Sequence, residues 1–401
     1  MLDSWTAVRP DVNNVEAKTP EAEAMRDVVI VDGVRTPIGR SNKEGYYKDV
    51  RADDLSAMCV RRLLERNRKL DPAEIEDVVW GCANQSGEQG LNIGRMIALL
   101  AGLPVEVAGT TVDRQCGSGL QAVNFAASEI MIGAGEVAIA GGVEQMSHVP
   151  MGSGLLPNSK LLDLFPQDMF VMGLTAERLA ATYKITREQA DAFSLRSHQR
   201  AIAACARFKE EMVPVKLANG TIDVDQGPRP DTSMDRLAAL KPSFKPDGQV
   251  TAGNSSQVCD GAAAVLLMSA ERARALGIRP MAQIRATAVA GVRPEIMGWG
   301  PVPAVHKVVG RAALKLGDID LVEINEAFAA QVLACNTELT IDENRLNVNG
   351  GAVALGHPLG CSGARLMVTL THEMRRRGAP LGLATMCIGI GQGIATVVEQ
   401  V

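Results

Sequence analysis

The sequence predicts an α/β protein whose parallel or mixed sheet is covered by helices on both faces. Short apolar runs that end in glycine alternate with helical patterns through residues 27–144, and the same order returns in the last third of the chain. Between these regions, residues 145–258 lose the alternation and carry several prolines and glycines. We therefore expect two similar halves and one inserted lobe, the kind of segment that carries binding residues on a rigid scaffold.

The first half is predicted to begin with a buried strand and to present its elements in alternation. In chain order these are a strand at 27–33, helix 54–67, strand 75–80, helix 92–101, strand 109–114, helix 120–131 and strand 136–142. Asp53 is a suitable N-cap for the first helix because its carboxylate accepts from free backbone N–H groups. The alternation resumes with an apolar run at 259–268.

The last third resembles a second copy of the first. It offers a strand at 281–290, a helix at 305–316, a strand at 320–324, and a closing strand that carries Cys387 before a glycine-rich turn and a helix or strand. If each half ends its key strand in a cysteine, Cys116 and Cys387 meet across a pseudo-two-fold axis. The predicted division is an N-terminal half at 27–144 and 259–280, a loop domain at 145–258 and a C-terminal half at 281–401.

Composition excludes several classes of protein. The 401 residues are 46% hydrophobic and 22% charged, with a formal net charge of -5, which gives no general attraction to nucleic acid or anionic lipid. No apolar run approaches the ~18 residues of a membrane span. The eight cysteines are scattered without CxxC or zinc-type spacing, which favours neither a disulfide framework nor a metal site. Residues 1–26 fit neither a secretory signal nor a transit peptide, so we interpret them as a loosely ordered extension and expect a cytoplasmic protein.

Cys116 lies between a predicted strand and a predicted helix, a position that can activate a thiol. Cys116 follows the strand at 109–114 and precedes the helix at 120–131, so its thiol is expected at a helix N-terminus, where the dipole favours the thiolate. Gly117 and Gly119 are expected to clear the approach of a large substrate and to allow unusual backbone angles. This stretch alone is equally compatible with a nucleophile and with a buried thiol that packs as a small hydrophobe.

One histidine lies in a glycine-rich stretch at 347–365. His357 is flanked by glycines on both sides, and Pro358 fixes the backbone that follows it. A lone histidine is more often a satisfied core residue, but so bare a backbone favours a functional imidazole.

Six motifs in order along the chain now carry a resemblance. They are CGSG at 116–119, GGVEQMSHVPM at 141–151, TAGNSSQ at 251–257, NEAF at 325–328, GGAVALGHPLGCSGAR at 350–365 and MCIGIGQG at 386–393. From about residue 27 to the last residue, the chain resembles the thiolases, and among them the 3-ketoacyl-CoA thiolases of fatty-acid β-oxidation, including the bacterial β-subunit type.

The resemblance implies a five-layered αβαβα thiolase fold with residues 145–258 covering coenzyme A. It implies that Cys116 is the acylated nucleophile, His357 its base and Cys387 the second acid/base. It further implies one oxyanion hole made by His357 and a water held by Asn325, and another made by the backbone N–H groups of Cys116 and Gly389. The expected reaction is thiolysis of a 3-ketoacyl-CoA by CoA, reversible as a Claisen condensation, with acetoacetyl-CoA thiolysis as the alternative.

The resemblance also suggests where coenzyme A binds. Positions that match the pantetheine channel are Met172, Phe244, Ala252 and Ser256, and those near the adenine end are Arg229 and Leu240. From the residues alone, Arg229 is as compatible with a solvated loop arginine as with a phosphate ligand. Val171 stands where some family members have histidine, which leaves the preferred acyl length open. CoA is expected as co-substrate, with no permanently bound cofactor and no metal.

The remaining histidines are expected to have structural positions. His148 is expected to pack the base of the loop domain, and His198, His306 and His372 to lie on helix surfaces or interfaces. Cys361 is interpreted as packing and Glu326 as orienting the Asn325 loop.

The family implies a homodimer or homotetramer, or a hetero-oligomer with a hydratase/dehydrogenase subunit. Two rival functions are a decarboxylating condensing enzyme acting on acyl-carrier protein and a silent CoA-binding partner; Cys387 argues against the first.

Overall fold

The computed structural model describes residues 25–218 and 220–401 and confirms the α/β class. The strands are β1 (Val28–Arg35), β2 (Gly39–Arg40), β3 (Asp77–Gly81), β4 (Ala108–Val112), β5 (Val137–Gln145), β6 (Val215–Leu217), β7 (Gly220–Ile222), β8 (Cys259–Ser269), β9 (Ala282–Gly291), β10 (Leu321–Ile324), β11 (Leu381–Ile388) and β12 (Gln392–Glu399). The helices are α1 (Ala52–Arg66), α2 (Ile93–Ala101), α3 (Ser118–Met131), α4 (Leu161–Leu164), α5 (Met172–Thr182), α6 (Arg187–Phe208), α7 (Met234–Ala238), α8 (Ala270–Ala275), α9 (Pro301–Arg311), α10 (Ala329–Leu339), α11 (Ala352–Leu355) and α12 (Leu359–Arg377). Residues 1–24 lie outside the described part of the chain, and with them nearly all of the extension predicted for residues 1–26.

The large strands form one sheet in two parts. Its order is β10-β11-β12-β9-β1-β8-β5-β3-β4, with β2 paired to β8. The two parts join where β1 and β9 run antiparallel, with Val29 opposite Gln283 and Ile30 opposite Ala282. Both β5 and β8 are buried along their whole length, and except for polar residues at their ends they are apolar, as strands covered on both faces are.

Three apolar clusters separate the layers. One lies between α1, α2 and the first part of the sheet, and a second holds α3 and α12 between the two parts. A third packs α9 and α10 on the outer face of the second part. The order is therefore helix, sheet, helix, sheet, helix, which confirms the five layers that the resemblance implied.

The two halves repeat in their strand pairing, although not as the sequence suggested. β3 runs parallel to β5 and β5 antiparallel to β8, just as β10 runs parallel to β11 and β11 antiparallel to β12. The counterpart of α3 is therefore α12, and the residue that corresponds to Cys116 is His357, just before α12. The predicted equivalence of Cys116 and Cys387 is wrong, because Cys387 lies within β11 and a strand, β12, follows its turn.

Residues 145–258 carry the helices α4 to α7 and the two-stranded β6-β7 sheet. A buried ion cluster connects this segment to β1: Arg35 donates two hydrogen bonds to Asp225, at 2.7 and 2.9 Å, and also contacts Glu211. Buried pairs of this kind fix position more than they stabilise, because removing one partner leaves a buried charge. Among the described residues, no helix combines the length and apolar character needed to cross a membrane.

Candidate active site

The Cys116 turn is held by a serine. Ser118 accepts from the Arg114 N–H at 2.9 Å and donates to the Gln115 carbonyl at 2.6 Å. These bonds close the chain around Gln115, whose φ of 47° lies in the left-handed region. The thiol of Cys116 is thus presented just before α3, as predicted, but the unusual backbone angle belongs to Gln115 and not to the two glycines.

Those glycines serve close packing between the halves. A Cβ at Gly117 would lie 2.6 Å from the Ile388 side chain, and one at Gly119 would lie 2.5 Å from the Gly360 carbonyl oxygen. The expectation that they clear a path for substrate is therefore replaced by a packing role. Without these side chains, the start of α3 comes against β11 and against the start of α12.

Two donors face the Cys116 sulfur. Burial raises the pKa of the Cys116 thiol to about 11, while the backbone N–H groups of Gly389 and of Cys116 itself act in the opposite direction. The prediction that the helix terminus favours the thiolate is wrong for the free protein, because desolvation outweighs the donors. The same two N–H groups are the pair that the resemblance assigned to one oxyanion hole.

Cys387 lies beside this thiol. It is 1% exposed, and burial raises its pKa well above the ordinary value, with the nearby Cys116 and Cys335 adding to the effect. Cys387 is therefore a protonated thiol that can donate. Its apolar neighbours include Met172 and Phe328.

His357 is held as a neutral base. The Ser362 hydroxyl donates to the Pro358 carbonyl at 2.9 Å, so it accepts from His357 Nδ1–H at 2.6 Å. This assignment leaves the lone pair on Nε2. Burial and the charge of Arg365 lower the pKa of His357 to about 3. No role was predicted for Ser362, although its place in the first turn of α12, one turn after Pro358, is a usable signal.

Asn325 joins the histidine to the second cysteine. Its Nδ2 lies 3.3 Å from His357 Nε2, and its backbone N–H donates to the Thr385 carbonyl at 3.0 Å, two residues before Cys387. Its Oδ1 is buried and has no hydrogen-bond partner among the described residues. A buried carbonyl oxygen of this kind fits a water ligand, since unpaired buried polar atoms are costly.

Two further motifs frame these side chains. The TAGNSSQ segment lies between the other two loops: Ser256 N–H donates to the Ala327 carbonyl at 3.0 Å, and His357 N–H donates to the Gln257 carbonyl at 3.0 Å. Glu326 accepts from Ser197, from Asn347 and from the Val353 N–H, which agrees with an orienting role.

The residues predicted to bind coenzyme A fall into two groups. Arg229, Leu240 and Ala252 line one cavity of about 130 Å³. Met172 lies near Gly389 and packs with the Cys387 cluster, and Phe244 packs edge-on against Phe328 with ring centroids 6.1 Å apart. Ser256 belongs to the second group through its bond to Ala327. The first group therefore lies at this cavity, whereas the second lies in the packing around Cys387.

The other singled-out residues lie as follows. His148 contacts Glu88 and the Lys48 carbonyl and packs the loop base, and His306 is exposed. His198 is only 5% exposed and lines the same cavity as Arg229, so of the two predicted settings, a helix surface or an interface, the surface is wrong. His372 is half-buried against the Gly33 carbonyl. Cys361 is buried against Ala263 and Ala364, which confirms packing.

Metals and disulfides find no support in the described part of the chain. No group of three or more His, Cys, Asp or Glu residues there could hold a metal ion, and the cysteines are free, with Cys205 exposed.

Comparison with known proteins identifies the family. The family model "Thiolase, N-terminal domain" matches residues 28–271, and "Thiolase, C-terminal domain" matches residues 278–400. The chain therefore belongs to the thiolase family, whose members are acyltransferases.

Individual proteins of known name are similar to this chain over nearly its whole length. A 3-ketoacyl-CoA thiolase of Marinobacter nauticus is 52% identical over 387 residues, covering 94% of this chain and 99% of the relative. One of Aeromonas salmonicida is 52% identical over 388 residues, covering 94% and 100%. Among solved structures, human mitochondrial 3-ketoacyl-CoA thiolase in complex with CoA has a TM-score of 0.86 at 40% identity, covering 94% of this chain and 99% of that one. The Bacillus anthracis acetyl-CoA acetyltransferase also has a TM-score of 0.86, at 42% identity, covering 94% and 100%.

Proposed function

We propose that this protein is a 3-ketoacyl-CoA thiolase, which cleaves a 3-ketoacyl-CoA with CoA to give acetyl-CoA and a shortened acyl-CoA. The observation that carries the proposal is the convergence of one site from both halves. Cys116 comes from the first half, and Asn325, His357 and Cys387 come from the second. The names of the relatives support the substrate class.

The first step is acylation of Cys116. The thiol proton passes to Nε2 of His357 as sulfur attacks the C3 ketone, since the thiol is protonated and the imidazole neutral in the free protein. When the C2–C3 bond breaks, its electron pair leaves as the enolate of acetyl-CoA. Cys387, itself protonated, donates its proton to that carbon and becomes a thiolate.

The second step releases the shortened acyl group. The Cys387 thiolate takes the proton of the incoming CoA thiol, and the CoA sulfur attacks the acyl-Cys116 carbonyl. Cys116 then leaves as a thiolate and regains its proton from His357. Each residue returns to its starting state, so the same groups serve the reverse condensation.

Two donor sets stabilise the negative oxygens. The N–H groups of Cys116 and Gly389 already face the Cys116 sulfur, so they are placed for the oxygen of the acyl carbonyl. The enolate oxygen is assigned to His357, once Nε2 carries the proton, and to a water on Asn325, whose Oδ1 lacks a partner among the described residues.

Coenzyme A is proposed to lie beneath residues 145–258. Its pantetheine would pass Phe244, Ser256 and Met172, while its nucleotide would occupy the cavity at Arg229 and Leu240. The proposal extends to a role in cytoplasmic fatty-acid β-oxidation, and to an assembly that is a homodimer, a homotetramer or a hetero-oligomer with a hydratase/dehydrogenase subunit. Native mass measurement of the purified protein tests the assembly.

A second candidate is an acetoacetyl-CoA thiolase. The 42% identity to an acetyl-CoA acetyltransferase structure supports it. A series of 3-ketoacyl-CoA substrates of increasing chain length, assayed with free CoA, separates the two: activity confined to acetoacetyl-CoA would favour the second candidate.

The covalent step is tested directly by mass spectrometry. Rapid mixing with an acyl-CoA in the absence of free thiol should add one acyl group per chain, located on Cys116. The Cys116→Ala variant should carry none, and Cys205→Ser is the matched control because Cys205 is the exposed thiol. A wild-type protein without acyl-enzyme would instead indicate a silent binder, and transfer only to acyl-carrier protein would indicate a condensing enzyme.

A further inference from the structure

His198 occupies a position that none of the assigned roles explains. It lies on α6 within the inserted segment, is 5% exposed, and lines the cavity of about 130 Å³ that also contains Arg229, Arg236 and Leu240. Histidine is a costly residue to bury unless its nitrogens are used, so both ring nitrogens need an account.

The first nitrogen accepts a main-chain bond. The Arg229 N–H donates to His198 Nδ1 at 3.2 Å. Since this nitrogen accepts, the proton of the neutral ring is on Nε2. Burial, followed by the charges of Arg229 and Arg40, lowers the pKa of His198 to about 4, so the ring is neutral near pH 7.

The second nitrogen is therefore an N–H donor at the cavity. Among the described residues, Nε2 has no hydrogen-bond partner, whereas the guanidinium of Arg236 is paired with Asp231. The cavity wall thus combines a neutral donor on His198 with the cationic Arg229. That pairing suits an acceptor-rich ligand such as a nucleotide better than an acyl chain.

We propose that His198 binds the nucleotide portion of coenzyme A, with Nδ1 positioning the Arg229 backbone and Nε2–H donating to an acceptor atom of the nucleotide. The inference rests on the proposed function for the identity of the ligand. It assigns His198 to affinity and not to the chemical step, because neither Cys116 nor Cys387 lines the cavity at His198.

Two isosteric variants separate the two nitrogens. In His198→Asn the side-chain oxygen can replace Nδ1 as acceptor, but no donor reaches the place of Nε2. In His198→Gln the amide N–H₂ reaches that place, while the acceptor for Arg229 N–H is lost. His198→Ala removes both, and His306→Gln, on an exposed position of α9, is the matched control.

The readout is the KM for the thiol co-substrate, with CoA compared against pantetheine, which lacks the nucleotide. His198→Ala should raise the KM for CoA by roughly tenfold or more, as loss of a buried hydrogen bond does, and leave kcat within about twofold. The Asn and Gln variants should lie between it and the wild type. With pantetheine, all variants should match the wild type.

Calorimetric binding of CoA and of pantetheine keeps the inference separate from the proposed function. Weaker CoA binding by His198→Ala, with pantetheine binding unchanged, supports the inference even if the wild type has no thiolase activity. An unchanged KM for CoA, or an equal loss with pantetheine and CoA, overturns it, because a purely structural role would affect both thiols alike.

Discussion

Gly119 in the first turn of α3 faces Gly360 in the first turn of α12 so closely that a Cβ at Gly119 would lie 2.5 Å from the Gly360 carbonyl oxygen. These are the helices whose starts follow Cys116 and His357. The distance between nucleophile and base is therefore set by a contact between two glycines, and any added methyl group must move one helix.

Gly119→Ala is expected to destabilise the protein and to reduce activity together. Overpacking of this kind costs about 1–3 kcal/mol, and here the obstacle is backbone that cannot rotate away. Denaturant unfolding measures the first effect and kcat the second. The control is Gly310→Ala in α9, where a Cβ meets nothing within 4 Å. It should be neutral or stabilising by up to ~1 kcal/mol, and equal behaviour of the two variants would contradict the packing role.

Ser362→Ala is expected to lower kcat by roughly tenfold or more with little change in the KM for CoA. The hydroxyl fixes His357 with its proton on Nδ1, and partners that orient metal-bound histidines in the same way are worth about 10–100-fold, so a comparable loss is expected here. Ser194→Ala is the control, since Ser194 is also buried and donates only to the Ala190 carbonyl one turn earlier. A kcat loss as large in the control would remove the orienting role of Ser362.

Asn325→Ala is expected to reduce kcat by about 10²–10³, the usual cost of removing an oxyanion donor. Its side-chain nitrogen contacts His357. Its Oδ1 has no hydrogen-bond partner among the described residues and can therefore hold a water. Stopped-flow measurement of acyl-enzyme formation, beside the steady-state rate, would locate the loss. If acylation and turnover both stayed within threefold of the wild type, the water site would have no part in the reaction.

Alkylation of Cys116 in the free protein should accelerate with pH. Because burial raises the pKa of this thiol to about 11, only the small thiolate fraction reacts near neutrality, and that fraction grows about tenfold per pH unit below the pKa. Iodoacetamide kinetics in a Cys205→Ser background, from pH 7 to pH 10, provide the measurement. An alkylation rate that has already reached its plateau at pH 7 would instead support the prediction that the helix N-terminus favours the thiolate.

Two buried histidines should make folding sensitive to mild acid. The pKa values of His198 and His357 are lowered to about 4 and about 3, so the unfolded chain, with a pKa near 6.5, binds protons that the folded chain does not. Stability is thus lost as pH falls from 6.5, by about 2 kcal/mol per histidine at pH 5. Denaturant titrations at pH 7 and pH 5 measure the fall in the free energy of unfolding. This fall should be smaller for His198→Gln than for the wild type, and the same for His306→Gln as for the wild type.

Sequence patterns predicted the alternation of strands and helices, because a buried strand and an amphipathic helix leave distinct periods in the chain. They also placed Cys116 just before a helix. What they missed depends on pairing across the molecule: Cys116 matches His357 rather than Cys387, and Gly117 and Gly119 admit neighbours from the other half.

The two histidine assignments show the same limit. His357 stood out because its local sequence is bare of side chains, whereas His198 lies within an ordinary helical pattern. Only the folded chain shows that the ring of His198, one turn after the buried Ser194, meets the Arg229 backbone. The thiol pKa of Cys116 was misjudged for a related reason, since desolvation is a property of the whole environment.

The seam at β1 and β9, with two facing residue pairs, gives the molecule a built-in test of completeness. A chain in which only one half has folded places either the sulfur that would be acylated or the imidazole that would activate it in its folded surroundings, never both. Acylation promoted by His357 would therefore report only molecules in which both halves have folded and joined.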